Sequence, residues 1–272
     1  MGRVEQNYFR CEFKSYEEFE REVDEISGQS RSWLYRGQGL SVLPQPRFLR
    51  GPNSKRDADG LETQFIEYFH KNLGRSFPKN SFGKWRILTW LQHYGAPTRL
   101  LDWTEDALVA LWFAVSTRMF QIESGVSNRS TVATVWLLEV AEDEWIQLSE
   151  KACLAPSEVS NSKFVRPPEI DARVVAQRSV FSAHRLPRSS LDCAHGLWPD
   201  WESKLKNRKM FALSCEDAAI PQLFASLKDA GITRASVYPD LMRVSDELNR
   251  HFQMAPDMYL VRSDIAMPFR SN

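Results

Sequence analysis

Cysteine is scarce in this chain and shows no pairing pattern. The four residues, Cys11, Cys153, Cys193 and Cys215, are scattered and form no C-x-x-C, which argues against a disulfide framework or a zinc ribbon. An excess of one charge is also missing. Thirty-five Lys and Arg balance 35 Asp and Glu, so bulk attraction to nucleic acid or to an anionic membrane is excluded, though a local basic patch is not. No apolar run approaches the roughly 18–20 residues that span a bilayer. The first residues lack the basic-then-apolar order of a signal peptide, and Gln6 breaks the myristoylation pattern. The expected compartment is therefore the cytoplasm, with reduced thiols. There is no G-x-x-x-x-G-K-[ST] and no G-x-G-x-x-G, which removes the P-loop and Rossmann readings. Cys193-Ala194-His195, with His184 before and Cys215 after, matches no common zinc spacing, so no metal is expected.

What is present is ordinary for a packed core: 43% of the chain is hydrophobic, 12% aromatic and 26% charged. Ser15 to Ile26 predicts an amphipathic helix with Ser15 and Glu18 as a capping box and Phe19, Val23 and Ile26 on one face. Ser32 to Gln38 reads as a strand stopped by glycine. Helical spacing returns over Leu61–Leu73 and over Trp85–Tyr94, the latter ended by Gly95 and Pro97. Thr104 to Met119 predicts a buried helix with Thr104 as its N-cap. Val132 to Val140 predicts a central strand, Pro156 to Pro168 a loop, and Arg173 to Phe181 a strand broken near Gln177. Helices are expected over Asp217–Ala230 and Pro239–Phe252. Trp198 to Lys209 reads as a solvated basic helix face. The irregular mixture of helices and strands predicts one α+β domain with a mixed or antiparallel sheet and flanking helices.

Two segments concentrate chemistry. Tyr35-Arg36-Gly37 ends an apolar strand with a guanidinium suited to phosphate or carboxylate, and Gly37 leaves room for a ligand to approach the backbone. His93-Tyr94-Gly95-Ala96-Pro97-Thr98-Arg99-Leu100-Leu101-Asp102-Trp103-Thr104 packs His, Thr, Arg, Asp and Trp into one turn. The structural alternative makes Asp102 a helix cap, pairs Arg99 with Asp102 and buries Trp103.

Together these segments resemble the FRG domain, a prokaryotic family named for its aromatic-Arg-Gly tripeptide. The second signature, His-x-Gly-x-Pro-Thr-Arg-Leu-Leu-Asp-Trp followed by Ala-x-x-Phe-Ala, is complete from His93 to Trp103 and over Ala110–Ala114. Gln177-Arg178-Ser179-Val180-Phe181 is similar to a third family segment but lacks its glycine. The resemblance implies an N-terminal helix over 1–30, the family domain over 31–250 and a tail over 251–272. It also implies the mobile-element or phage-defence setting in which members are found.

The motif order is more distantly similar to that of arginine-type ADP-ribosyltransferases, which implies their fold, NAD as the ligand, and transfer to a protein or nucleic-acid acceptor, with no membrane partner. On that likeness Tyr35, Arg36, Gly37, Thr98, Arg99, Trp103 and Thr104 would contact the dinucleotide. Arg36 and Arg99 would anchor its phosphates, and Trp103 or Tyr94 would stack on a ring. His93, Asp102 and Gln177 would be the catalytic positions. Gln177 departs from the carboxylate found there, so Asp102, Glu169 or Asp171 would have to supply the charge that stabilises an oxocarbenium-like ribose. The other reading is a binding module, for a nucleotide, RNA or protein, that catalyses nothing.

Overall fold

A computed structural model describes residues 10–28, 32–49, 58–72, 79–125, 132–149, 153–167, 172–186 and 199–239. In chain order the elements are β1 (Arg10–Glu12), α1 (Tyr16–Ser27), β2 (Ser32–Gln38), α2 (Ala58–Asn72), α3 (Ser81–His93), β3 (Leu100–Thr104) and α4 (Ala107–Glu123). After these come β4 (Ala133–Val140), β5 (Lys163–Val165), α5 (Ala172–Ala176), β6 (Ser179–Ala183), α6 (Pro199–Lys206), β7 (Met210–Cys215), α7 (Ile220–Asp229) and α8 (Arg234–Val237). The strands form one sheet in the order β1-β7-β4-β2-β3-β6-β5. β1 runs parallel to β7 and the other neighbours are antiparallel. The α+β class and the mixed sheet read from the sequence are what the chain adopts.

Local chemistry explains most elements. Ser15 caps α1, its hydroxyl accepting from the Glu18 amide at 3.2 Å, while the Glu18 carboxylate reaches back to the Lys14 amide at 2.8 Å. Phe19 and Val23 are buried by that helix. β4, β-branched and apolar, is buried along nearly its whole length between β2 and β7. α3 ends in a Schellman-type turn: Gly95, at φ 79°, donates to Gln92 and Ala96 donates to Leu91. That left-handed position suits glycine.

Four expectations require correction. Thr104 does not begin a helix. Leu100–Thr104 is strand β3, and Asp106 is the N-cap of α4, its carboxylate accepting from the Leu108 and Val109 amides at 2.9 and 3.2 Å. The strand wins because Leu100, Leu101 and Trp103 are buried on alternate faces of the sheet. The segment read as a broken strand is instead α5, a turn at Gln177–Arg178, and β6. The 156–168 segment holds a short 3-10 turn and the edge strand β5. α6 also differs from a solvated face: Trp201 is wholly buried, its indole donating to the Pro44 carbonyl at 3.0 Å, and Lys204 pairs with Glu144 at 2.6 Å. The helix expected over Pro239–Phe252 lies outside the described residues from position 240 onward.

Helices α1, α4 and α7 cover one face of the sheet over Tyr35, Val135, Leu137 and Leu213, and α2 and α3 extend that layer over Leu100, Phe181 and Ala183. On the opposite face α6 seats Trp201 against Leu34, Trp103, Trp136 and Met210. α4 approaches β2 very closely at Gly37. A Cβ built there would lie 1.7 Å from the Ala110 carbonyl oxygen and 2.6 Å from the Ala114 amide nitrogen. Glycine on the strand and the two alanines on the helix are therefore one packing device.

Candidate functional site

β2 pairs with β4 along its full length, but among the described residues it meets β3 at a single register position, Tyr35 opposite Thr104. Past that point the sheet is split into two blocks, and side chains bridge the gap. The Arg36 guanidinium donates to the Asp102 carbonyl at 2.7 Å, occupying an acceptor that a strand amide would otherwise take, and lies 3.8 Å from the Asp102 carboxylate. Arg36 is largely buried, with 14% of its side chain exposed, whereas Asp102 is 44% exposed. The Arg36 Nε is buried and has no hydrogen-bond partner among the described residues.

A short relay holds the Asp102 carboxylate in place. Gln92, in the last turn of α3, donates to Asp102 Oδ2 at 2.8 Å, and its carbonyl accepts from the Thr98 hydroxyl at 2.6 Å. Thr98 in turn accepts from the Leu100 amide at 3.0 Å. The geometry therefore presents a preorganised carboxylate at the mouth of the split, with a guanidinium behind it. Such an arrangement can accept hydroxyl protons and meet an anion at once. His93 follows Gln92 on the same helix. Its ring is edge-on to Tyr94, which is 72% exposed, and Tyr94 also contacts Trp90.

The remaining expected site residues are placed elsewhere. Arg99 is no surface anchor. Its backbone amide donates to Glu62 Oε1 at 2.8 Å, its Nε donates to the same carboxylate, its Nη1 to the Pro156 carbonyl, and its Nη2 to Asp59 at 2.6 Å. Its side chain is 3% exposed. Burial pushes the Glu62 carboxyl upward, and the Arg99 charge and amide pull against that rise. Thr98, Trp103 and Thr104 are buried. Trp103 donates to the Ser182 hydroxyl at 2.8 Å and meets Trp201 edge-on, so its ring is not open for stacking. The Thr104 hydroxyl accepts from the Asp106 amide at 3.0 Å. Tyr35 is a core residue whose phenol is pushed up by burial. Gly37 makes room for α4, where the sequence reading had it make room for a ligand. Gln177 donates to the Val237 carbonyl at 3.1 Å, in the turn before β6. Glu169 and Asp171 lie outside the described residues.

Residues 31–121 match the family model of the FRG domain. This chain carries an FRG domain. No curated protein and no solved structure matches it. The FRG match covers β2 through α4 and so contains both strands of the split, the Gln92 relay and the Gly37–Ala110–Ala114 contact. Much of the FRG signature is thereby explained by packing: Gly37 by α4, Arg99 by Glu62, and Trp103 by Ser182 and Trp201.

Gln92, Glu62 and Asp59 were missed as partners in the sequence reading. Gln92 stands one position before the second signature, and its contact to Asp102 runs across a turn that periodicity does not define. A further buried group, His184, accepts or donates through Nδ1 to Ser162 at 2.8 Å and through Nε2 to Ser182 at 2.7 Å. Burial, reinforced by the Arg99 charge, lowers it to about 3, so it is a neutral structural imidazole. Cys215, pushed by burial to about 12, is no nucleophile. Among the described residues no three His, Cys, Asp or Glu side chains gather as metal ligands, and no helix is long and apolar enough to cross a membrane. Cys193 and His195 lie outside the described residues.

Proposed function

We propose that the split between β2 and β3 is a nucleotide site for an NAD-like ligand, with Asp102 receiving ribose hydroxyls and Arg36 meeting the phosphates. The observation that carries this reading is the half-exposed Asp102 carboxylate, fixed by Gln92 and backed by Arg36. The unpartnered Arg36 Nε supports it. A buried donor without an acceptor costs about 1–3 kcal/mol, which a ligand oxygen would return. Exposed Tyr94, in contact with His93 and Trp90 and two residues past Gln92, offers an aromatic face for a ring. Thr98, Arg99, Trp103 and Thr104 act behind the site as supports.

The likeness to ADP-ribosyltransferases extends the reading to cleavage of the nicotinamide bond, with transfer to water, protein or nucleic acid, in a phage-defence setting. Asp102 is the carboxylate best placed for that charge. Gln177 favours the second reading, binding without turnover, because an amide held by the Val237 carbonyl supplies a hydrogen bond but no charge.

The test is titration of the protein with NAD, following the melting temperature and nicotinamide release, beside Asp102→Asn and Arg36→Lys. The expected result is a ligand-dependent rise in melting temperature that both variants lose while their ligand-free melting stays within about 3 °C. Nicotinamide release that disappears in Asp102→Asn assigns catalysis, and a melting shift without release assigns binding alone. A response unchanged in Asp102→Asn, or no response to NAD at all, overturns the site.

A further inference from the structure

Away from the split, α2, α3 and the 3-10 turn at Pro156–Glu158 enclose a cavity of about 390 Å³. That volume is at the lower end of the range for small-ligand pockets. Its lining is unusually cationic for a chain of zero net charge. Lys71 comes from the end of α2, Lys79 from just before the Asn80 cap of α3, and Lys84 from the first turn of α3. His70 joins them, and its Nδ1 is buried with no hydrogen-bond partner among the described residues. The N-terminus of α3, which begins between Lys79 and Lys84, adds its partial positive charge.

The opposing carboxylates are Glu62 and Glu67. Glu62 is committed: both its oxygens accept from Arg99 in the cavity floor. Glu67 lines the same cavity as the three lysines, and among the described residues none of those lysines is held in an ion pair. Gathering like charges around one cavity costs energy through mutual repulsion, which an anion reverses. Three lysines and an imidazole line this one cavity, two of the lysines flanking the start of a helix, and that donor set suits a tetrahedral oxyanion.

We infer that this cavity binds the phosphate group of a small phosphorylated molecule, at a site separate from the split in the sheet. Arg99, in the floor, stands one residue before β3 and three before Asp102, roughly 10 Å away along an extended backbone. The two places lie close along the chain but share no lining residue.

The experiment measures the melting temperature against added inorganic phosphate and pyrophosphate, with sodium chloride matched for ionic strength, for the whole chain, for the Lys79→Gln/Lys84→Gln double variant and for Asp102→Asn. The imidazole resonances of His70 are followed by NMR in the same titration. The expected result is a saturable rise of about 3–5 °C at ten times Kd, absent with chloride, absent in the double lysine variant, retained in Asp102→Asn, and accompanied by a His70 shift. Pyrophosphate acting well beyond phosphate would mark a polyphosphate ligand, and equal action a phosphate monoester. A chloride effect of the same size, a response surviving in the double variant, a response lost in Asp102→Asn, or an unmoved His70 overturns the proposal. The lysines are on the cavity rim and their glutamine forms keep the stem, so the ligand-free melting curve serves as the folding control.

Discussion

At Arg99 one guanidinium and its own backbone amide satisfy the two oxygens of Glu62, Asp59 and the Pro156 carbonyl. Arg99→Ala would leave a buried carboxylate without its cation, and the expected loss is about 3–5 kcal/mol in chemical denaturation. Arg99→Lys would restore the charge without the fork, so it should rescue only partly. In the sequence this arginine reads as an anion anchor because its partners are 37 and 40 positions away. Arg178 has the opposite character. It is in the left-handed region at φ 45°, its amide donating to Val175 and its carbonyl accepting from Glu105, while its own side chain is mostly exposed and only 3.9 Å-distant from Asp106. Arg178→Gly should therefore stabilise the protein by about 1 kcal/mol, seen as a rise of a few degrees in melting temperature. A neutral or lower value would show that the Asp106 contact outweighs the backbone strain.

The strand-to-helix packing of β2 on α4 sets the geometry of everything around it. Gly37→Ala drives a methyl into the Ala110 carbonyl, which belongs to rigid helix backbone and cannot rotate away. The expected cost is about 3 kcal/mol or more, read in the denaturation midpoint, with a loss of soluble yield. Conservative enlargement at Ala114 should act in the same direction. Element existence was readable from pattern for α1, β2, α3, β4 and α7, because each carries its own capping or apolar period. β3 was not readable as a strand. Leu100 to Thr104 is five residues long, runs directly into the apolar helix behind it, and becomes a strand through Trp103 and Leu101 packing against Trp201, Trp136 and Leu138. α5 and β6 were merged for a related reason, since the reversal between them depends on the unusual backbone of Arg178.

Across the whole molecule, acid stability depends on the buried His184. Its unfolded value is near 6.5 and its folded value about 3, so the unfolded chain takes up a proton that the folded chain refuses. Stability is therefore full above pH 6.5 and falls by about 1.4 kcal/mol per pH unit as the pH drops below it toward 3. Glu62, whose carboxyl is raised by burial, works in the opposite sense, so the effect is isolated as the difference from His184→Gln between pH 7 and 5. The variant should lose that slope, and an unchanged slope would show that His184 is protonated in the fold. The single-position pairing of β2 with β3 is likewise a property of the assembled sheet. The sequence by itself determined the α+β class, the central strand, the family likeness and the two motif-bearing segments, because capping, apolar periodicity and short motifs are local. Only the tertiary structure decided which motif residues come together at the break in the sheet. Arg36, Gln92 and Asp102 meet at a break in the sheet, while Gly37, Thr98, Arg99 and Trp103 go to packing. The physical reason is that a side chain's availability depends on partners distant in sequence, such as Glu62 for Arg99 and α4 for Gly37, and no local pattern encodes them.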